Sequence, residues 1–301
     1  MESNITTSVI VPVFNDPLGI LTTLNSLVSQ KFDEIYEIII VDNNSTDNTY
    51  ETIKNFIKNN KNKTRAKIKL LQENKKSSYA TRNKGIKHSQ GELLCFLDSD
   101  MWVDDSYLQK IYSTYRSSKT DYFYLGCNVK IIMDKKNVFE KTNLLTGFPI
   151  KKYINKGHFA PTCCLITNRA VIKKVGIFND NLVSGGDWEF GQRVYRNNIQ
   201  QRYGEKITVY HPARKTFASL FKKHYRFGRG LCQLSKSSTY NFYWKILSQI
   251  IPSNPLKFIN NERLYFSFLE YLKIYVITYI GINLPIFIGY HSGLFIKNEK
   301  F

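Results

Sequence analysis

The chain has 301 residues and carries 43 Lys and Arg against 24 Asp and Glu, a formal net charge of +19. A hydrophobic content of 43% excludes a disordered chain and a fully membrane-embedded one, and the length allows one large domain or two small ones. So basic a protein is expected to work beside something acidic: nucleic acid, anionic lipid or phosphorylated substrate.

Ser8 to Val13 is a short β-branched run, and Asn15-Asp16-Pro17 offers a turn and a helix start. Leu18 to Gln30 has apolar residues at helical spacing (Ile20, Leu21, Leu24, Leu27, Val28). Ile35 to Val41 reads as the second strand, Asp47 to Lys58 as a helix and Ile68 to Leu71 as a third strand. Tyr79 to Ser89 follows as a helix and Glu92 to Leu97 as a fourth strand stopping at Asp98. Strands alternating with helices predict an α/β fold, a mostly parallel sheet with helices on both faces. Ligands of such sheets sit at the carboxyl ends of the strands, where Asn15, Asp42 and Asp98 fall.

The pattern then loosens. Tyr122 to Ile132 reads as a strand, and Asp134 to Gly157 as a polar, Lys-rich loop or acceptor-facing insertion. Thr162 to Ile166 returns to strand, Arg169 to Val175 and Trp188 to Arg196 to helix, and Ile207 to Tyr210 to strand. A basic helix holding Lys215, Lys222, Lys223, Arg226 and Arg229 is expected to end near Gly228 and Gly230. Between Lys206 and Asn261 there is no Asp or Glu, and Lys236, Lys245 and Lys257 add to the positive charge. Leu264 to Phe295 is strongly apolar and aromatic. The chain is expected to divide into 1–105, 106–230 and 231–301, the last a basic then apolar helical region.

Asp98-Ser99-Asp100 closes an apolar strand, and two carboxylates so placed can reach one hard cation, Mn²⁺ or Mg²⁺, that also touches a diphosphate. Alone, such a motif is more often a solvated turn. Here it follows Val9-Ile10-Val11-Pro12-Val13-Phe14-Asn15, Ile39-Ile40-Val41-Asp42-Asn43-Asn44-Ser45-Thr46-Asp47 and Ala80-Thr81-Arg82-Asn83-Lys84-Gly85 in fixed order. Together these segments resemble the nucleotide-binding half of family 2 glycosyltransferases with the GT-A fold, closely over residues 8 to 105 and more loosely to about 230.

The resemblance implies that Pro12, Phe14 and Asn15 line the base and ribose pocket. Asp42 would accept from the base, with Asn44 and Asp47 shaping its loop. Arg82 would contact base or phosphate, Asp98 and Ser99 would face ribose and sugar, and Asp100 would bind the metal. Taken singly, Arg82 would read as a solvated helix face and Asp42 as a capping turn.

Ser184-Gly185-Gly186-Asp187-Trp188 forms the second constellation. Two glycines permit close backbone approach, and an ionised Asp187 at a helix start is favoured by the dipole and can take a proton from an attacking hydroxyl. Members of the resembling family commonly carry Glu-Asp after the glycines, the Asp acting as base in inverting transfer. Gly186 stands here in place of that Glu. Gly186 and Trp188 would face sugar or acceptor, although core packing explains Trp188 equally well. Glu189 is an (i, i+4) partner for Arg193. By the same resemblance His211 would be a third metal ligand, and Arg226 or Arg229 would close over the diphosphate.

The five cysteines lack metal-ligand spacing and read as buried thiols in a reducing compartment. Met1 to Thr7 has no signal-peptide pattern, so a cytoplasmic enzyme is expected. The charge-free run Ile274 to Tyr290 is at the short limit of a span and rich in Tyr. It favours helices lying on the inner face of an anionic membrane, ahead of a true span and of a soluble core or dimer helix. The function expected is metal-dependent inverting transfer from a nucleotide sugar, UDP-linked first, to a saccharide or lipid-linked acceptor in glycan assembly. A nucleotidyltransferase would carry a glycine-rich phosphate loop, and Val11 to Asn15 has none. A nucleic-acid-binding protein would account for the charge, yet no nucleic-acid module is recognised. A non-catalytic glycan-binding relative would have no need of Asp98, Asp100 and Asp187 together.

Overall fold

The computed structural model describes residues 6–60, 64–236, 242–251 and 267–295. It divides into two compact units, residues 1–130, 150–180 and 186–211, and residues 131–149, 181–185 and 212–301.

In the first unit β1 (Thr7–Val13), β2 (Tyr36–Asp42), β3 (Lys67–Gln72) and β4 (Leu93–Phe96) lie parallel in the order β3-β2-β1-β4. β2 and β4 are buried throughout and β1 almost so, which is why these strands read as continuous apolar runs rather than alternating ones. Pro12 is tolerated in this central sheet because β4 pairs with β1 only as far as Ile10↔Phe96, so no ladder bond is lost on that side.

The crossovers are α1 (Pro17–Val28), α2 (Thr49–Asn60) and α3 (Ser78–His88). Asp16 caps α1 by accepting the Gly19 N–H at 2.9 Å, with Pro17 in the first turn, and Ser77 caps α3. β5 (Trp102–Val103) and α4 (Tyr107–Ser118) follow. β7 (Leu165–Asn168) pairs with β4 and with β6 (Tyr124–Ile132). β8 (Gln201–Pro212) lies next to β6 and is antiparallel to β5 at the far edge. The first four strands are parallel, as expected, and β7 runs antiparallel between β4 and β6, whereas β8 runs the same way as β6, with the Ala213 N–H donating to the Ile132 carbonyl at 2.8 Å and Thr208 beside Asn128. α7 (Arg169–Val175) and α8 (Gly186–Arg196) complete this unit.

Three local expectations are corrected. Thr162–Cys164 is a single 3₁₀ turn, and the strand begins only at Leu165. The stretch Asp134 to Gly157 is not a loop. It holds α5 (Val138–Thr146), then α6 (Ile150–Lys152) running into a π turn at Tyr153–Gly157. α5 forms because Asn137 and Glu140 make a capping box, and the buried Glu140 carboxylate also accepts the Asp134 and Lys135 N–H groups.

The third correction concerns α9 (Phe217–Lys236), which runs through Gly228 and Gly230 instead of ending there. The second unit also holds α10 (Tyr243–Leu247), α11 (Phe268–Thr278), a π turn at Tyr279–Asn283 and α12 (Leu284–Phe295). α9 and α12 cross backbone to backbone: a Cβ on Gly228 would come within 2.1 Å of the Ile286 carbonyl, and one on Gly289 within 2.1 Å of the Tyr225 carbonyl. The glycines are kept inside helices by that contact, not placed to end them. Lys257 and Leu264 to Phe266 lie outside the described residues.

Candidate active site

The turns after β1 and β2 are tied to each other. Asn15, at φ 49°, accepts the Thr46 N–H on its side-chain oxygen at 2.8 Å and donates its own N–H to Ser45 Oγ at 2.9 Å. Asn44 also takes a left-handed conformation, at φ 60°, so two asparagines, a residue type that tolerates this region, shape the rim. Phe14 stands half exposed at 52%, a free aromatic face beside them. Asp42 is fully buried; its Oδ2 accepts the Ser45 N–H at 3.1 Å, while its Oδ1 has no hydrogen-bond partner among the described residues.

Arg82, on α3, is also buried. It donates to the Ser78 carbonyl at 3.0 Å and to Asp98 Oδ1, and its Nε has no partner among the described residues. Buried polar atoms are nearly always satisfied. Orphans on Asp42 and Arg82 therefore mark places where a ligand's polar groups would complete the set.

The Asp98-Ser99-Asp100 turn is braced from α1. Thr23 Oγ1, on the buried face of that helix, stands 2.8 Å from the Ser99 carbonyl and 2.6 Å from that of Met101. Ser99 Oγ donates to Asp16 Oδ2 at 3.1 Å. Neither Thr23 nor the Ser99 contact of Asp16 belongs to a motif; a Thr inside the apolar stripe of a helix is the signal that the sequence carries.

Asp98 and Asp100 supply the hard oxygen donors that Mn²⁺ or Mg²⁺ takes, and such ions on nucleotides use one or two carboxylates with phosphate oxygens. That pair fits. The three-residue set with His211 does not: among the described residues no group of three or more His, Cys, Asp or Glu is gathered to hold a metal. One Asp98 oxygen is already committed to Arg82. His211 lies buried near the end of β8, one residue past the Trp102↔Tyr210 pair, where the two rings stack.

Asp187 stands in the first turn of α8. Its Oδ1 accepts the Trp188 N–H at 2.9 Å. Burial raises its pKa above the usual carboxylate range, and the backbone donors and the positive charge of Arg82 offset this only in part. Around it Tyr79, Tyr124 and Tyr153 are held protonated, mainly by burial with the charge of Asp187 adding to it; Tyr153 is pushed up to about 12. Farther along α8, Glu189 and Arg193 pair as expected, at 2.7 and 3.0 Å, and Arg193 also holds the Val175 and Ile177 carbonyls.

Gly186 is buried and Trp188 half-buried at this turn. Asp42, Arg82, Asp98, Asp100, Asp187 and His211 all belong to the first unit, whereas Arg226 and Arg229 belong to the second, on α9.

The profile of the family described as Glycosyl transferase family 2 matches residues 8–176. Glycosyltransferase AglE of Haloferax volcanii is 33% identical over 229 residues, covering 75% of this chain and 73% of that one. The chain belongs to the family 2 glycosyltransferases, and it is a glycosyltransferase. Solved structures agree on the fold. TarS of Staphylococcus aureus (residues 1–349, in complex with UDP-GlcNAc) superposes with TM-score 0.55 at 18% identity, covering 96% of this chain and 92% of that one. The mannosyltransferase PcManGT of Pyrobaculum calidifontis (in complex with GDP-Man and Mn²⁺) gives TM-score 0.57 at 14% identity, covering 97% and 75%. The architecture is thus GT-A, as the motif order led one to expect.

Proposed function

We propose that the enzyme transfers a sugar with inversion from a nucleotide sugar, UDP-linked in the first instance, to a hydroxyl of a saccharide or lipid-linked acceptor during glycan assembly. The observation that carries this reading is Arg82, which is bonded to Asp98, lies within electrostatic reach of Asp187, and has no partner for its buried Nε among the described residues. One guanidinium thus joins the donor side to the base. The two solved structures bearing UDP-GlcNAc and GDP-Man support the donor class.

In this reading Asp42 and the Pro12-Phe14-Asn15 rim receive the nucleoside, with Asn44 in the adjoining loop. Arg82 orients Asp98 and Ser99 toward ribose and sugar. Asp187, with Gly186 and Trp188 beside it, accepts the proton of the acceptor hydroxyl as it attacks the anomeric carbon. Asp100 with Asp98 would hold Mn²⁺ or Mg²⁺, whose charge would offset that of the departing diphosphate. Arg226 and Arg229 remain candidates for the diphosphate. Titration calorimetry with UDP, GDP, CDP and dTDP, with and without Mn²⁺, tests the donor site. One nucleotide that needs both metal and Asp100 supports it; no binding by any of the four ends it.

The second unit supports a seat on the cytoplasmic face of an anionic membrane. By length and composition the stretch Phe268–Phe295 is apolar enough to cross a bilayer. However, it lies along α9: Tyr225 Oη meets Ser292 Oγ at 2.9 Å, and Lys236 Nζ donates to the Gly293 carbonyl at 2.8 Å. A span so packed would draw Lys222, Lys223, Arg226 and Arg229 of α9 into hydrocarbon, at a cost of about 2.5–3.5 kcal/mol for each charge at the centre. Lying in the interface avoids that cost and wets the exposed row Phe268, Leu272, Val276 and Ile280 with lipid instead. Sedimentation with vesicles containing phosphatidylglycerol, but not with pure phosphatidylcholine, is expected; indifference to both removes the membrane from the reading.

A further inference from the structure

The helix that carries Asp187 begins on residues that cannot cap it. Gly185 takes a left-handed φ of 80° and Gly186 follows, so neither offers the side-chain oxygen that a helix start usually needs for its free N–H groups. That oxygen comes from another helix. Tyr79 of α3 accepts the Gly186 N–H on its hydroxyl at 2.8 Å. The ring lies against Gly186 so closely that a Cβ there would meet Tyr79 Cε2 and Cζ at 2.8 Å.

We infer that Tyr79 is a positioning residue for Asp187: its hydroxyl caps α8 from outside, and its ring fills the space that a side chain at position 186 would need. Tyr79 is itself fixed. Its ring packs on Phe178 with centroids 6.0 Å apart, and Phe178 packs in turn on Phe190 of α8 at 4.7 Å. Asn83, one turn along α3, bonds the Phe178 backbone both ways, at 2.8 and 3.0 Å. Arg82 lies three residues from Tyr79 on the same helix and holds Asp98. A single helix therefore fixes both the donor carboxylate and the base.

The inference rests on Asp187 being the base, so both are measured together. Tyr79→Phe keeps the ring and removes the oxygen. With the tightest-binding of the UDP-, GDP-, CDP- and dTDP-sugars as donor, its kcat is expected to fall about tenfold, the loss of one positioned hydrogen bond. Donor KM and nucleotide affinity should stay within about twofold of the parent. Gly186→Ala should also lower kcat, and its cost should shrink in a Tyr79→Leu background, where the colliding ring is gone.

A Tyr79→Phe enzyme with parental kcat, or one losing donor affinity as much as turnover, overturns the positioning role while Asp187→Asn remains inactive. Retained turnover in Asp187→Asn instead removes the base reading, and the inference with it, whatever Tyr79→Phe does.

Discussion

The turn that ends β4 and the turn that begins α8 each present an aspartate, yet they are held by opposite means. Asp98 projects from a short turn whose carbonyls are gripped by Thr23 and whose carboxylate is paired with Arg82. Asp187 projects from a glycine pair with no side chains of its own, among tyrosines, and burial raises its pKa. In the proposed reaction the Arg82 pair would hold the first carboxylate in place for binding. Weak solvation of the second makes it a better proton acceptor near neutral pH. The two carboxylates are suited to different work by their surroundings, not by their residue type.

The sharpest way to break this contrast is Asp187→Asn. The amide keeps the Trp188 N–H contact but cannot take a proton, so transfer is expected to drop by about 10²–10⁴-fold with donor affinity unchanged. Initial rates and calorimetry on the same preparation read both quantities. Loss of donor affinity would place Asp187 in the binding site, and the contrast would fall.

A smaller effect follows from pH. A base whose pKa is raised in the folded enzyme is ionised above that pKa and protonated below it, so kcat should fall as pH drops through a value above the ordinary aspartate range. The limb should be tenfold per pH unit once the base is mostly protonated. A rate flat down to the ordinary carboxylate range would show that burial does not govern this group.

Local chemistry decided how much of this was legible. On the proposed donor side Asp42 and Asp98 stand out because each follows an apolar strand run: Asp42 after Ile38 to Val41, Asp98 after Leu93 to Leu97. The proposed base stands out because Gly185-Gly186-Asp187 is contiguous. What supports these residues does not, since Thr23 reaches Ser99 and Tyr79 reaches Gly186 across long stretches of chain. The capping box that builds α5 was hidden for a different reason. Its Asn137 and Glu140 stand among lysines, where composition suggests a loop. Gly228 misled because a glycine inside a helix carries no sign of whether it ends the helix or admits a neighbour.

The smallest expected effect tests the bracing of the Asp98 turn. Thr23→Val keeps the shape of a side chain that is fully buried and removes only the hydroxyl that reaches Ser99 and Met101. One neutral hydrogen bond contributes about 1 kcal/mol net, so the donor KM should rise about fivefold. Because Asp187 is held by other contacts, kcat should change by less than about twofold. Equal losses in KM and kcat would mean that the two turns move as one body. Separate losses would show that α1 holds the donor side independently of the base.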